Sequence, residues 1–115
     1  MTEAVFNSFS QSIQRLDEVL KQPKTVITRD SAIKRFELTF ELAWRSAKTY
    51  LGGKGVVCHS PRDCLMEAFR LGLIPDNQLW LRIIEDRNQS VHTYNEKLAD
   101  DLYGRLGIIC YCSAN

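Results

Sequence analysis

Within Asp86-Arg87-Asn88-Gln89-Ser90-Val91-His92-Thr93-Tyr94 the chain places an arginine, a histidine and a tyrosine near the end of an amphipathic helical pattern. Arginine offers a rigid fork of donors for phosphate or carboxylate, and histidine takes or gives a proton near neutral pH. Phosphodiester cleavage needs both functions. The same residues have a plainer reading, in which Arg87 is a helix-end cation answering the dipole and a neighbouring carboxylate, and His92 is a satisfied histidine at a helix terminus. The elements that carry these side chains decide what they can reach.

Those elements read as helices. No segment alternates apolar and polar for long, and β-branched residues never cluster. Val5, Phe9, Ile13, Leu16 and Leu20 recur at helical spacing and predict a first helix ending before Pro23. Ile33, Phe36, Phe40, Trp44, Ala47 and Leu51 predict a long central helix that starts near Thr28 or Asp30 and stops at Gly52-Gly53. Ser60-Pro61-Arg62-Asp63 is a helix start, with a serine cap, a proline in the first turn and an early carboxylate; that helix stops at Gly72. Asp76 is the expected cap of a fourth helix carrying Leu79, Trp80, Ile83 and Ile84, and Asn95 that of a fifth with Leu98, Leu102, Leu106 and Ile109 buried. Gly104 and Gly107 weaken the fifth, each costing about 1 kcal/mol relative to alanine. The expected fold is all-α: an antiparallel four- to five-helix up-and-down bundle, with residues 1–115 forming one domain.

On a straight helix Arg87 and His92 diverge by about 140 degrees, because each residue turns about 100 degrees. Arg87 continues the stripe Trp80, Ile84, Arg87, Val91, so its charged head leaves from the apolar side. His92 shares a stripe with Glu85 and Asn88, either of which could orient the imidazole. The two converge if the helix ends or bends near His92, or if a second copy of the chain supplies one of them. A cation on an apolar face calls for a carboxylate. Glu37 and Glu41, four apart on the central helix, are the candidates to reach Arg87; the alternative is that both sit on a solvated helix edge.

Composition narrows the classes. Fifteen basic and fourteen acidic residues leave a net charge of +1, which lacks the broad basic footprint of a general nucleic-acid binder, so any RNA contact must be local. No apolar run approaches a membrane span and the acidic amino terminus is not a secretory signal, so a cytoplasmic protein is expected. Cys58, Cys64, Cys110 and Cys112 lack paired zinc spacing, even with His59 nearby, and are expected to be thiols. No metal or cofactor is expected. Gly52-Gly53-Lys54-Gly55 misses the phosphate-loop pattern and reads as a helix end.

Several blocks resemble one family. Arg-Phe-Glu-Leu-Thr-Phe-Glu-Leu-Ala-Trp at 35–44, Ser-Pro-Arg at 60–62, Ala-Phe-Arg-Leu-Gly-Leu-Ile at 68–74, Glu-Asp-Arg-Asn at 85–88 and His-Thr-Tyr at 92–94 are similar to the nucleotidyltransferase substrate-binding proteins of the HEPN superfamily. The resemblance spans about residues 5–106. It implies a helical homodimer paired with a minimal, separately encoded nucleotidyltransferase. It also implies a metal-independent ribonuclease site at the dimer cleft, onto whose Arg-x-x-x-x-His signature Arg87 and His92 fall, with Asn88 supporting. In related toxin-antitoxin pairs a tyrosine two residues after the histidine accepts AMP from the partner enzyme and the toxin is silenced; Tyr94 falls on that position. The competing expectation is a non-catalytic subunit that binds a nucleotide or presents a substrate, with Arg87 as a phosphate ligand.

Overall fold

The computed structural model describes residues 2–74 and 77–113. Its elements are α1 (Thr2–Leu20), α2 (Val26–Gly53), α3 (Pro61–Arg70), α4 (Asn77–Gln89), a 3-10 turn (Ser90–His92), α5 (Glu96–Tyr103) and α6 (Gly107–Ser113). The described residues form no strand.

The central helix begins earlier than its apolar stripe suggests. Thr25 caps it, accepting from Thr28 N, while the Thr28 hydroxyl accepts from Thr25 N at 2.7 Å. This is a reciprocal capping box made by two threonines, so Thr28 lies inside the first turn. Ser60 caps α3 with Pro61 at its start, and Gly72, at φ +79°, turns the chain away after it. Asn95 caps α5 through Leu98 N. Asp76 lies outside the described residues.

The fifth helix is interrupted where its glycines weaken it. After Tyr103 the chain closes with bonds from Arg105 N to Leu102 O and Leu106 N to Tyr103 O, then resumes as α6. Leu98, expected on the buried face, is a surface residue, and Ala99 is the buried one.

Leu16, Phe36, Phe40, Leu65, Trp80, Ile83, Leu102, Leu106 and Ile109 form the core, with Trp44 only partly covered at its edge. The helices α1 and α4 run antiparallel to α2. Arg35 donates to Arg15 O and Thr39 to Ser12 O, a register in which one helix rises as the other falls. Glu37 meets Ser90 and Phe40 meets Arg87 in the same sense between α2 and the end of α4.

The cysteines correct the expectation of four thiols. Cys58 and Cys64 are joined by a disulfide, with Cα atoms 5.1 Å apart. The Ser60-Pro61 turn folds the chain back onto the first turn of α3, a proximity that linear spacing does not reveal. His59 between them is exposed and holds no zinc with these sulfurs, both being bonded to each other. Cys110 remains a thiol, pushed up by burial, and the Cys112 side chain is outside the described set. For a sequence separation of six, loop-closure entropy predicts that reduction costs about 2 kcal/mol. Thermal melts with and without a reductant, repeated on Cys58→Ser, test this; an unchanged midpoint would refute it.

Candidate functional site

The site forms where α4 gives out. Its buried stripe is Trp80, Ile83 and Asp86, continued by Ser90 in the 3-10 turn, one position off the stripe read from sequence, and Val91 is exposed. Two of those four residues are polar, and each is satisfied. Asp86 accepts from Arg105 Nε at 2.9 Å, pinning α4 to the α5–α6 connection. Ser90 Oγ donates within reach of Arg87 O at 2.6 Å and Glu37 Oε2 at 3.1 Å. The serine thus occupies a terminal carbonyl of α4 and ties the 3-10 turn to α2.

Arg87 is half-buried, with its guanidinium carbon 5.4 Å from the centre of the Phe40 ring. It leaves toward the apolar side as expected, but the expected ion pair does not form. Glu37 is engaged by Ser90. Glu41 accepts from Trp44 Nε1 at 3.0 Å and Arg45 Nε at 2.8 Å. These hydrogen bonds, Trp44 first and then Arg45, hold the Glu41 carboxyl below its usual range, with Arg87 adding a smaller Coulombic effect. The one side-chain hydrogen bond of Arg87 among the described residues runs from Nη1 to Asn88 Oδ1 at 3.4 Å. A guanidinium resting on an aromatic face beside an amide, rather than locked to a carboxylate, keeps its donor fork open to an anion.

His92 and Tyr94 lie on the other side of the break. The α-helix ends at Gln89 and tightens into the 3-10 turn. That change shifts His92 off the i, i+4 stripe, and Glu85 bonds Gln89 instead. The His92 ring is exposed and meets Tyr94 edge-on, with centroids 6.0 Å apart and planes at 81°. Tyr94 is 83% exposed. No hydrogen bond joins Arg87 to His92 within the described protomer. The segment is closed by Asn95, whose N–H donates to His92 O at 3.1 Å.

A cluster that sequence reading missed anchors the far side of this segment. Arg29 is buried at 3% exposure and donates through Nη1 to Glu96 Oε2 at 2.6 Å and Asp100 Oδ1 at 3.1 Å, and through Nε to Asp30. Lys24 also pairs with Asp100, at 3.0 Å. Arg29 falls one turn before Ile33 on the face of Ile33, Phe36 and Phe40, but a reading that follows hydrophobic residues passes over a charged one. Hydrogen bonds from Lys24 first and Arg29 second hold the Asp100 carboxyl below its usual range. A depressed carboxylate stabilises the fold above its unfolded pKa, and that contribution is lost as pH falls through the folded value. Stability should therefore drop below about pH 4, the ordinary carboxylate range. Arg29→Gln should flatten this dependence in melts at stepped pH; parallel curves for the two proteins would contradict it.

An apolar cavity of ≈ 230 Å³ opens between α1, α2, α3 and α4, lined by Phe6, Phe9, Ala43, Leu65, Ile74 and Trp80 among others. Its lining holds no cation, so the phosphates of a nucleotide would be left unpaired there. Arg87, which forms no ion pair with Glu37 or Glu41, keeps its donors available to an anion. Among the described residues, no helix is long and apolar enough to cross a membrane.

Known proteins share this fold. A Thermus thermophilus protein of known crystal structure superposes with a TM-score of 0.83 at 33% identity, covering 90% of this chain and 91% of the other. A Haemophilus influenzae protein, described as revealing the fold of a substrate binding domain of a nucleotidyltransferase, superposes at 0.70 with 27% identity over 98% and 91% of the two chains. A relative from Haemophilus influenzae named "Probable ribonuclease HepT" is 28% identical over 90% of this chain and 78% of its own length. The family model described as nucleotidyltransferase substrate binding protein like matches residues 4–112, and the chain belongs to that family.

Proposed function

We propose that this chain is the helical partner subunit of a minimal nucleotidyltransferase and acts, as a homodimer, as a metal-independent ribonuclease that AMP transfer to Tyr94 silences. The observation that carries this reading is the pairing of Arg87, which among the described residues has no carboxylate partner, with His92 and Tyr94 exposed side by side on the next turn. The relative named as a ribonuclease and the neighbour described as a nucleotidyltransferase substrate-binding fold support it.

In this reading His92 takes the proton from a ribose 2′-hydroxyl, and the 2′-oxygen attacks the adjacent phosphorus. The bond to the 5′-oxygen breaks, that oxygen receives a proton from water, which the imidazolium formed at His92 replenishes, and a 2′,3′-cyclic phosphate remains. Arg87 neutralises charge growing on the phosphoryl oxygens, and Asn88 holds its guanidinium. Glu37 acts by fixing Ser90, and Glu41 by completing the α2 side of the site without consuming Arg87. A second copy of the chain, facing the first across the cleft, brings Arg87 and His92 groups toward one strand.

Silencing follows from the position of Tyr94. The partner enzyme binds ATP, the Tyr94 hydroxyl gives up its proton as its oxygen bonds the α-phosphorus, and pyrophosphate leaves. The attached AMP puts a negative charge and a nucleotide beside His92, repelling RNA and blocking its entry. Intact-protein mass after co-expression with the nucleotidyltransferase tests this. Wild type should gain AMP masses and Tyr94→Phe should not. An unmodified chain that still co-purifies with an active partner would point instead to a non-catalytic subunit that presents a substrate or binds a nucleotide at Arg87.

A further inference from the structure

The net charge of +1 requires any RNA contact to be local, and α2 carries two exposed cations, Arg45 and Lys48, on the side of Glu41 that leads away from Arg87. Glu41, Arg45 and Lys48 stand at i, i+4 and i+7, on one side of the helix. Their contacts run in an unbroken series. Arg87 lies over Phe40 and acts electrostatically on Glu41, Glu41 holds Trp44 and Arg45, and both Arg45 and Lys48 lie over the Trp44 ring at 5.6 and 5.9 Å.

The stripe is arranged for an anion. Glu41 engages Arg45 through Nε, which leaves Nη1 and Nη2 of this exposed side chain without a hydrogen-bond partner among the described residues. Lys48 is exposed and, among the described residues, pairs with no carboxylate. Glu37 and Glu41 are the carboxylates along this stretch, and each is already bonded, to Ser90 and to Trp44 and Arg45. The aromatic platform restrains two long cationic side chains before any ligand arrives, which lowers the ordering cost of binding. From Phe40 to Lys48 the helix rises about 12 Å, enough for more than one phosphate of an extended strand.

We propose that the Arg45–Lys48 face of α2, carried on Trp44, is a track for the sugar-phosphate backbone of single-stranded RNA leading to Arg87 and His92. It rests on the ribonuclease reading above and adds the path by which substrate arrives. Recognition here is electrostatic and blind to sequence, because neither side chain is placed to read a base edge in a fixed geometry.

Fluorescence anisotropy with a labelled mixed-sequence oligoribonucleotide tests the track, on full-length protein carrying His92→Ala so that the probe stays intact. Adding Arg45→Gln and Lys48→Gln should weaken binding about 25-fold at about 0.1 M salt and make the log–log salt slope shallower by about 1.4, at about 0.7 per lost phosphate contact. Lys48→Gln alone, which leaves Glu41 and Arg45 paired, should give half of that change in slope. An unchanged affinity and slope would overturn the track while leaving the ribonuclease reading standing. Absence of any RNA binding in a protein whose Tyr94 still accepts AMP would overturn track and ribonuclease together. Retained RNA binding with loss of co-purification with the nucleotidyltransferase would assign the face to the protein partner and overturn the track.

Discussion

Replacing His92 with alanine is expected to slow RNA cleavage about 10²–10⁴-fold, the usual contribution of a positioned general base. The histidine sits on an exposed turn, bonded to the fold through its backbone, so the substitution removes an imidazole without opening the core. Binding of a nucleotide should therefore survive it. Arg87→Ala should lower both, since the guanidinium meets the phosphoryl group before and during the reaction. Arg87→Lys should recover little, because an ammonium lacks the planar fork that a phosphate and the Phe40 ring each engage. Single-turnover cleavage by purified protein, with the product end assayed for a 2′,3′-cyclic phosphate, reads these outcomes. Equal rates for wild type and His92→Ala would remove the catalytic role. Loss of nucleotide affinity in Arg87→Ala alone, with no cleavage in any protein, would leave a ligand-binding subunit.

The helices are legible because burial imposes periodicity. Ile33, Phe36 and Phe40 are buried where their spacing puts them, and Ser60 and Asn95 cap the helices they precede. Less legible is anything that depends on how a polar group is satisfied. Asp86 on α4 and Ser90 at the start of the 3-10 turn continue its buried stripe, yet a reading based on hydrophobicity passes over them and tilts the stripe by one residue toward Arg87 and Val91. Their i+3 and i+7 spacing from Ile83 is the available signal. Glu37 and Glu41 do flank the stripe, but their partners are Ser90, Trp44 and Arg45, whose competing claims leave Arg87 without either carboxylate. The Arg29 cluster joins residues 67 and 71 apart in sequence, a pairing that no local pattern encodes.

Phe40→Ala is expected to destabilise the fold by about 3–5 kcal/mol, the range for emptying a fully buried phenylalanine site. Phe40 is 0% exposed at the centre of α2, packed in the same cluster as Phe36, Trp80 and Ile83, so little surrounding structure can collapse into the space. Against a total stability of about 5–15 kcal/mol for a domain of this kind, that loss leaves a marginal protein, and chemical denaturation should show it directly. The ring also carries Arg87, which ties stability to the site. Phe40→Leu retains much of the apolar volume and removes the aromatic face, separating the two roles. A double-mutant cycle between Phe40→Leu and Arg87→Met should then expose a coupling of about 0.5–1 kcal/mol from the cation–π contact alone. Additive effects would mean that the ring merely lies beneath Arg87 without holding it. A measurable coupling together with weakened phosphate binding in Phe40→Leu would make the core residue part of how the guanidinium is kept off the neighbouring carboxylates and ready for an anion.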